Sequence, residues 1–306
     1  MYFLLNKCFI AFGLLSTAIV FIVPCNAQQK QPITSEAVMH MPFKLDSASV
    51  PMTTVEINGQ RQTFMIDTGA SFALYLFKDV MTQLSGLVLN TGKQRTTDLT
   101  GKVFLNDKFQ IPRLSINGMI FEDIKGMSIS SPRGMPLTPD SNLPNTMMIG
   151  LGLFKEKAVL IDYKNQRLSV ADNTQALGIN MTDGWISLPL QVTQEGITVN
   201  VSQNSKEYNM VLDTGASVSV FWKERLKSPA IDISCRAVMA EMDHEGCVSS
   251  EFRLNGIGPK DIKLNAVLLD GTFPQMDTDG LIGKNFLDRF TVLIDFPGQR
   301  LLIKKV

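Results

Sequence analysis

Short apolar runs, spaced by polar pairs and glycines, recur from residue 38 to the end of the chain, and many alternate apolar with polar positions. That period predicts half-buried strands rather than helices. Residues 52–57 and 62–66 flank Asn58-Gly59, a tight-hairpin signature. Residues 72–77 form an apolar strand. Residues 96–105 and 109–116 are expected to pair as a hairpin with Gly101 in its tip, and Asn117-Gly118 then turns the chain into residues 119–124. Residues 130–145 hold Pro132, Pro136, Pro139 and Pro144 and read as a loop. An apolar run stops at Gly150, and residues 159–162 and 167–170 close this half as a hairpin around Lys164-Asn165. The second half repeats the scheme. Residues 197–201 and 208–212 bracket a polar turn, residues 218–222 match 72–77, and residues 236–241 and 247–254 bracket a turn at 243–246. Helix candidates are few; residues 284–290 are one short example, with Phe286, Leu287 and Phe290 on a common face.

The repetition extends to the residues themselves. Met65-Ile66-Asp67-Thr68-Gly69-Ala70-Ser71 returns as Val211-Leu212-Asp213-Thr214-Gly215-Ala216-Ser217. Met148-Ile149-Gly150 is matched by Leu281-Ile282-Gly283, Val159-Leu160-Ile161-Asp162 by Val292-Leu293-Ile294-Asp295, and Gln166-Arg167-Leu168 by Gln299-Arg300-Leu301. The offsets, 146 residues for the aspartates and 133 for the closing strands, are too long for a solenoid and fit duplication of a whole lobe. The expected fold is therefore all-β: two pseudo-symmetric β lobes at 41–172 and 185–306, joined by a polar linker at 173–184. Asp162 and Asp295 precede turns, which accounts for them without chemistry.

The 306 residues are 44% hydrophobic and 19% charged, enough for two packed lobes and too uncharged for a disordered chain. The balance of 29 basic and 29 acidic residues gives no reason to expect a nucleic-acid partner. His40 and His244 are the only histidines, and no Cys/His cluster has ligand spacing, so neither a metal, a cofactor nor a histidine triad is expected. Lys7, the apolar run 8–23 and the small residues before Ala27 read as a signal peptide over 1–27, followed by a polar tether over 28–40. Lipidation at Cys25 and an uncleaved anchor are the alternatives. The chain is expected to be exported, periplasmic or secreted. Cys235 and Cys247 then remain in an oxidising compartment, and a disulfide is the favoured reading over free thiols, although a hairpin turning at 243–246 would put Met242, rather than Cys235, opposite Cys247.

Asp67 and Asp213 each end an apolar strand, where partial desolvation raises a carboxyl pKa. Two such groups in hydrogen-bonding range share one proton and titrate as a pair. The ionised member takes a proton from a water held between them, and the protonated member polarises a carbonyl. Gly69 and Gly215 permit tight turns, and the Thr68 and Thr214 hydroxyls are expected to bond across the lobe junction.

Asp67-Thr68-Gly69-Ala70 and Asp213-Thr214-Gly215-Ala216 resemble the active-site turns of aspartic proteases, and the alanine after glycine resembles retropepsins more than pepsins. In that family a flap hairpin follows each turn, and two apolar residues and a glycine brace it. The resemblance assigns bracing to Ile149-Gly150 and Ile282-Gly283, which follow their aspartates by 83 and 70 residues to the glycine. It covers roughly residues 41–306 and implies a retropepsin-like protease with two fused lobes and a cleft between them. The implied activity is peptide-bond hydrolysis by Asp67 and Asp213, without cofactor, on a peptide or protein substrate, in a site complete in a monomer. The alternative is a catalytically silent two-lobed module that binds peptides or other partners. No tyrosine lies between Leu76 and Asp162, so a pepsin-type flap tyrosine is missing. Ala70 and Ala216 stand where pepsins carry a hydroxyl bonded to the aspartate, which implies a mildly acidic optimum.

Overall fold

The computed structural model describes residues 37–97, 103–129, 146–242, 245–255, 262–271 and 276–306. The signal segment, most of the tether, the Pro-rich loop 130–145, Gly101 and His244 lie outside the described residues.

Two sheets carry the fold, one of thirteen strands and one of eight. The larger begins with six antiparallel strands in the order Ile186–Pro189, Arg300–Lys305, Phe290–Asp295, Ala158–Asp162, Arg167–Ala171 and Met39–Leu45. These form a platform to which both halves of the chain contribute. The two closing hairpins predicted separately for each half meet there edge to edge. Leu160 faces Leu293, its own copy in the repeat, so the pseudo-two-fold axis passes between these residues. The same symmetry sets Pro42 opposite Arg167 and Pro189 opposite Arg300. Val159, Ile161, Val292 and Ile294 are fully buried in the platform.

From Met39–Leu45 the sheet continues into the first lobe through Pro51–Ile57, Gln60–Asp67, Met147–Gly150, Leu74–Leu76, Met119–Ser128, Val103–Ile116 and Val88–Thr97. The second lobe orders its strands Gln191–Thr193, Gly196–Gln203, Lys206–Leu212, Gly280–Ile282, Val220–Trp222, Lys263–Leu269, Ser249–Leu254 and Asp232–Ile233. Each lobe curls on itself by a second pairing, Ile57 with Ile116 in the first and Val201 with Leu254 in the second. Phe64, Leu74, Phe109 and Ile111 fill the first lobe. In the second, Phe221 stacks on Phe252 at 4.6 Å and meets Tyr208 edge-on at 5.0 Å. Aromatic pairs of this geometry add ~1 kcal/mol beyond the area they bury.

The hairpin turns follow their residues. Asn58-Gly59 and Asn117-Gly118 hold positive φ at both positions (50° and 77°, 48° and 82°), the type I′ geometry that matches strand twist. Asn204-Ser205 occupies the place of Asn58-Gly59 in the second lobe and makes the same turn with a serine at φ 59°.

Three local expectations need correction. The long hairpin of the first lobe pairs Val88–Thr97 with Val103–Ile116, so residues 103–116 are one strand rather than parts of two. Its first arm was hidden because residues 88–95 are mostly polar and exposed. Residues 236–241 are not a strand. Cys235–Ala237 is a short 3-10 turn, and Ser249–Leu254 pairs with Asp232–Ile233 and Lys263–Leu269 instead. Finally, the helix stops at Leu287 and Phe290 opens a strand, although Phe286, Leu287 and Phe290 are all buried.

The second correction resolves the cysteines. Asp232 faces Ser250 and Ile233 faces Ser249, and that register carried two residues further sets Cys235 opposite Cys247. The two are joined by a disulfide, with Cα atoms 6.4 Å apart. The expected mismatch with Met242 came from assuming a regular hairpin where the chain makes a 3-10 turn.

Candidate active site

Each aspartate is delivered by the same local topology. Gln60–Asp67 runs parallel to Met147–Gly150, whose other edge pairs antiparallel with Leu74–Leu76. The chain thus leaves the strand at Asp67, turns, and returns on the far side of the strand that ends at Gly150. Lys206–Leu212, Gly280–Ile282 and Val220–Trp222 repeat the arrangement around Asp213. The bracing segments lie under the turns. Leu151 N–H donates to Ala70 O at 2.8 Å, and Lys284 N–H donates to Ala216 O at 2.9 Å. Asp213 N–H donates to Ile282 O at 3.0 Å. Ile149 and Ile282 are fully buried.

The lobes are locked at the threonines. Thr68 N–H donates to Thr214 Oγ1, and Thr214 N–H donates to Thr68 Oγ1, both at 3.0 Å. Each hydroxyl passes its own proton to the opposite strand, Thr68 to Leu212 O at 2.7 Å and Thr214 to Ile66 O at 2.8 Å. Both threonines are 1% exposed, so these four bonds are shielded from competing water. The interlock sets the two aspartates side by side. A Cβ on Gly69 would fall 2.8 Å from the Asp213 Cγ, and one on Gly215 would fall 2.9 Å from the Asp67 Cγ. Neither glycine tolerates a side chain without moving the carboxyl group of the other lobe.

Burial, and then the facing Asp67 carboxyl, push the Asp213 carboxyl well above its ordinary 3.8. Gly215 N–H, donating to Asp213 Oδ1 at 2.7 Å, pulls the other way without cancelling the rise. The pair therefore favours a state with one shared proton.

Sequence reasoning missed several residues around the pair. Tyr163 is buried edge-on to Phe43 at 5.6 Å, and its hydroxyl finds no hydrogen-bond partner among the described residues. Burial, then Asp213 and Asp288, raise that phenol far above its ordinary range. Its copy in the repeat is Phe296, so the hydroxyl is a departure from symmetry that a comparison of the halves exposes. Ser217 Oγ donates to Ala48 O, tying the second turn to the loop after the first strand. Ser219 and Asn285 support the second turn. His40 lies away from this chemistry, its Nδ1 against Ser169 Oγ at 2.9 Å. Among the described residues no group of three His, Cys, Asp or Glu side chains is placed to hold a metal.

The sequence pattern of the aspartyl protease family matches residues 53–151, the stretch that contains the first turn and its brace. The fold is similar to that of an aspartic proteinase from Irpex lacteus, with a TM-score of 0.54, 12% identity, and coverage of 88% of this chain and 98% of that one. It is similar to the same degree to basic 7S globulin from soybean, with a TM-score of 0.54, 10% identity, and coverage of 88% and 95%. The chain has the aspartic-protease fold. No curated protein matches it by sequence. At these identities the shared property is the backbone, and the aspartic-protease fold here is a two-lobed one with an aspartate from each half at the junction.

Proposed function

We propose that the chain is an exported aspartic endopeptidase in which Asp67 and Asp213 hydrolyse peptide bonds through an activated water. The reading rests on one observation: the threonine interlock holds two carboxyl groups together, and one of them is pushed toward protonation. In the proposed cycle the ionised aspartate accepts a proton from water, and that water attacks the carbonyl carbon. The protonated aspartate donates to the carbonyl oxygen. The resulting tetrahedral diol collapses with proton transfer to the leaving amine, which restores the shared proton. Thr68, Thr214, Gly69 and Gly215 keep the carboxyls paired, and Ile149, Gly150, Ile282 and Gly283 brace the turns. The site needs one chain only, because both aspartates lie on it. The Cys235–Cys247 bond supports passage through an oxidising compartment and hence export.

A second reading is a cleft that binds peptides without cutting them. The soybean relative favours it to this extent: it is named a globulin rather than a proteinase, and one fold hosts different functions. Incubation of the mature protein with a mixed peptide library across acidic to neutral pH separates the two. Cleavage blocked by a hydroxyl-bearing transition-state mimic is expected. Peptide retention with no cleavage at any pH selects the binding module.

A further inference from the structure

The turn between Gln191–Thr193 and Gly196–Gln203 belongs to the second lobe but reaches the turn that follows the first lobe's aspartate. Gly196 sits against that turn so closely that a Cβ on it would lie 3.0 Å from Thr68 O and 3.6 Å from the Gly69 Cα. Its neighbour Glu195 points the other way. One carboxylate oxygen accepts from Asp277 N–H at 2.6 Å, and the other accepts from Thr278 N–H at 3.1 Å and from the Thr278 hydroxyl. Arg225 grips the same backbone through its carbonyls, donating to Thr278 O and Met276 O. Residues 276–278 are thus held by an anion on their N–H groups and a cation on their C=O groups. They lead directly into Asp279, which accepts from Asn209 N–H at 2.8 Å, and into Gly280–Ile282 beside the Asp213 strand.

We infer that Glu195 is a positioning residue for the dyad, a strut that ties the backing of the Asp213 strand to the turn of Asp67. The corresponding turn of the first lobe is held differently. Asp46 Oδ1 accepts from Ala48 and Val50 N–H within that turn, and Ser217 Oγ of the second lobe donates to Ala48 O. The strut is therefore one-sided: Glu195 anchors its turn by charge within the second lobe, and Gly196 of that turn packs against the Asp67 turn across the lobe boundary. An alanine at 195 takes the acceptor from the N–H of buried Thr278 and of exposed Asp277 and frees the turn that carries Gly196. Glutamine keeps one good acceptor and most of the reach.

The inference rests on the protease reading, and the test separates the two. Steady-state peptide hydrolysis and amide hydrogen exchange are measured on wild type, Glu195→Ala and Glu195→Gln. The expected result is a kcat at least tenfold lower in Glu195→Ala with KM within twofold, and an intermediate kcat in Glu195→Gln. Exchange at Thr68 and Gly69 is expected to speed up at least tenfold, although neither amide touches Glu195. A folded Glu195→Ala with wild-type kcat and unchanged exchange at 68–69 overturns the strut. If Glu195→Ala does not fold, Glu195→Gln decides by the same two readouts. If wild type cleaves nothing, the protease reading fails and exchange at 68–69 alone decides the strut.

Discussion

The two Asp-Thr-Gly-Ala-Ser turns are copies, yet they are held by different chemistry. Under the first turn the contacts are backbone on backbone: Gly150 N–H donates to Ala73 O at 3.0 Å, and Gly152 lies so close that a Cβ would fall 2.5 Å from Ser71 O. At the corresponding places of the second turn stand Ser219 for Ala73 and Asn285 for Gly152. There Gly283 N–H donates to Ser219 Oγ at 3.0 Å, Ser219 donates its hydroxyl proton to Asn285 Oδ1 at 2.8 Å, and Ser219 N–H donates to the same oxygen at 2.7 Å. Asn285 closes the network by donating to Asn265 O at 3.0 Å. Small residues at 73 and 152 let main chains meet in one lobe, and a hydrogen-bonded polar pair stands at the same two places in the other. The duplicated fold preserves the geometry of the carboxylates, while the means of supporting it has diverged in pairs.

This contrast yields opposite sensitivities. The largest effect is expected at Gly152→Ala, where the added methyl meets backbone atoms that cannot rotate away. A loss of about 3 kcal/mol in chemical denaturation is expected; a neutral substitution would show that the first turn is not close-packed. Next comes Ser219→Ala, which strips Gly283 N–H of its acceptor and Asn285 Oδ1 of one of its two donors, at about 2 kcal/mol. Because Ser219 and Asn285 act as one network, the double variant Ser219→Ala/Asn285→Ala should cost little more than the single one. Additive losses would dissolve the network.

A third prediction concerns pH. The folded carboxyl of Asp213 is raised above its unfolded value of 3.8, so the folded state binds the extra proton more tightly. The resulting stability is present below about 3.8 and is lost as pH rises through the folded value. Asp67→Asn removes the facing charge and should flatten this decline in denaturation midpoints measured from pH 3 to 8. An unchanged slope would mean the two carboxyls do not interact. The smallest effect belongs to Ser205→Gly. Asn204-Ser205 makes the turn that Asn58-Gly59 makes in the first lobe, and glycine relieves a serine held at φ 59°. A gain of about 1 kcal/mol is expected by thermal unfolding.

Much of this was legible in the chain because the repeat is unusually literal. Asp67 and Asp213, the threonines and the two Asn-Gly turns follow from short motifs whose geometry is local. The platform was not legible. Nothing in residues 158–162 and 290–295 says that the two closing hairpins join each other rather than each sealing its own lobe, because that pairing spans more than a hundred residues. The first arm of the long hairpin escaped because an exposed edge strand carries no apolar alternation. The Cys235–Cys247 pairing was obscured by a 3-10 turn that pattern reasoning read as a strand. Ser219 and Asn285 look unremarkable singly and acquire meaning only when aligned with Ala73 and Gly152.

The central claim is that one aspartate from each half acts as a single acid–base pair. Its most direct test is peptide hydrolysis by Asp67→Asn and Asp213→Asn, each checked for native circular dichroism and set beside active wild type. Loss of cleavage by a factor of ~10³ or more in both variants is predicted, since general acid–base groups contribute on that scale. Comparable cleavage by either folded variant would contradict the shared pair.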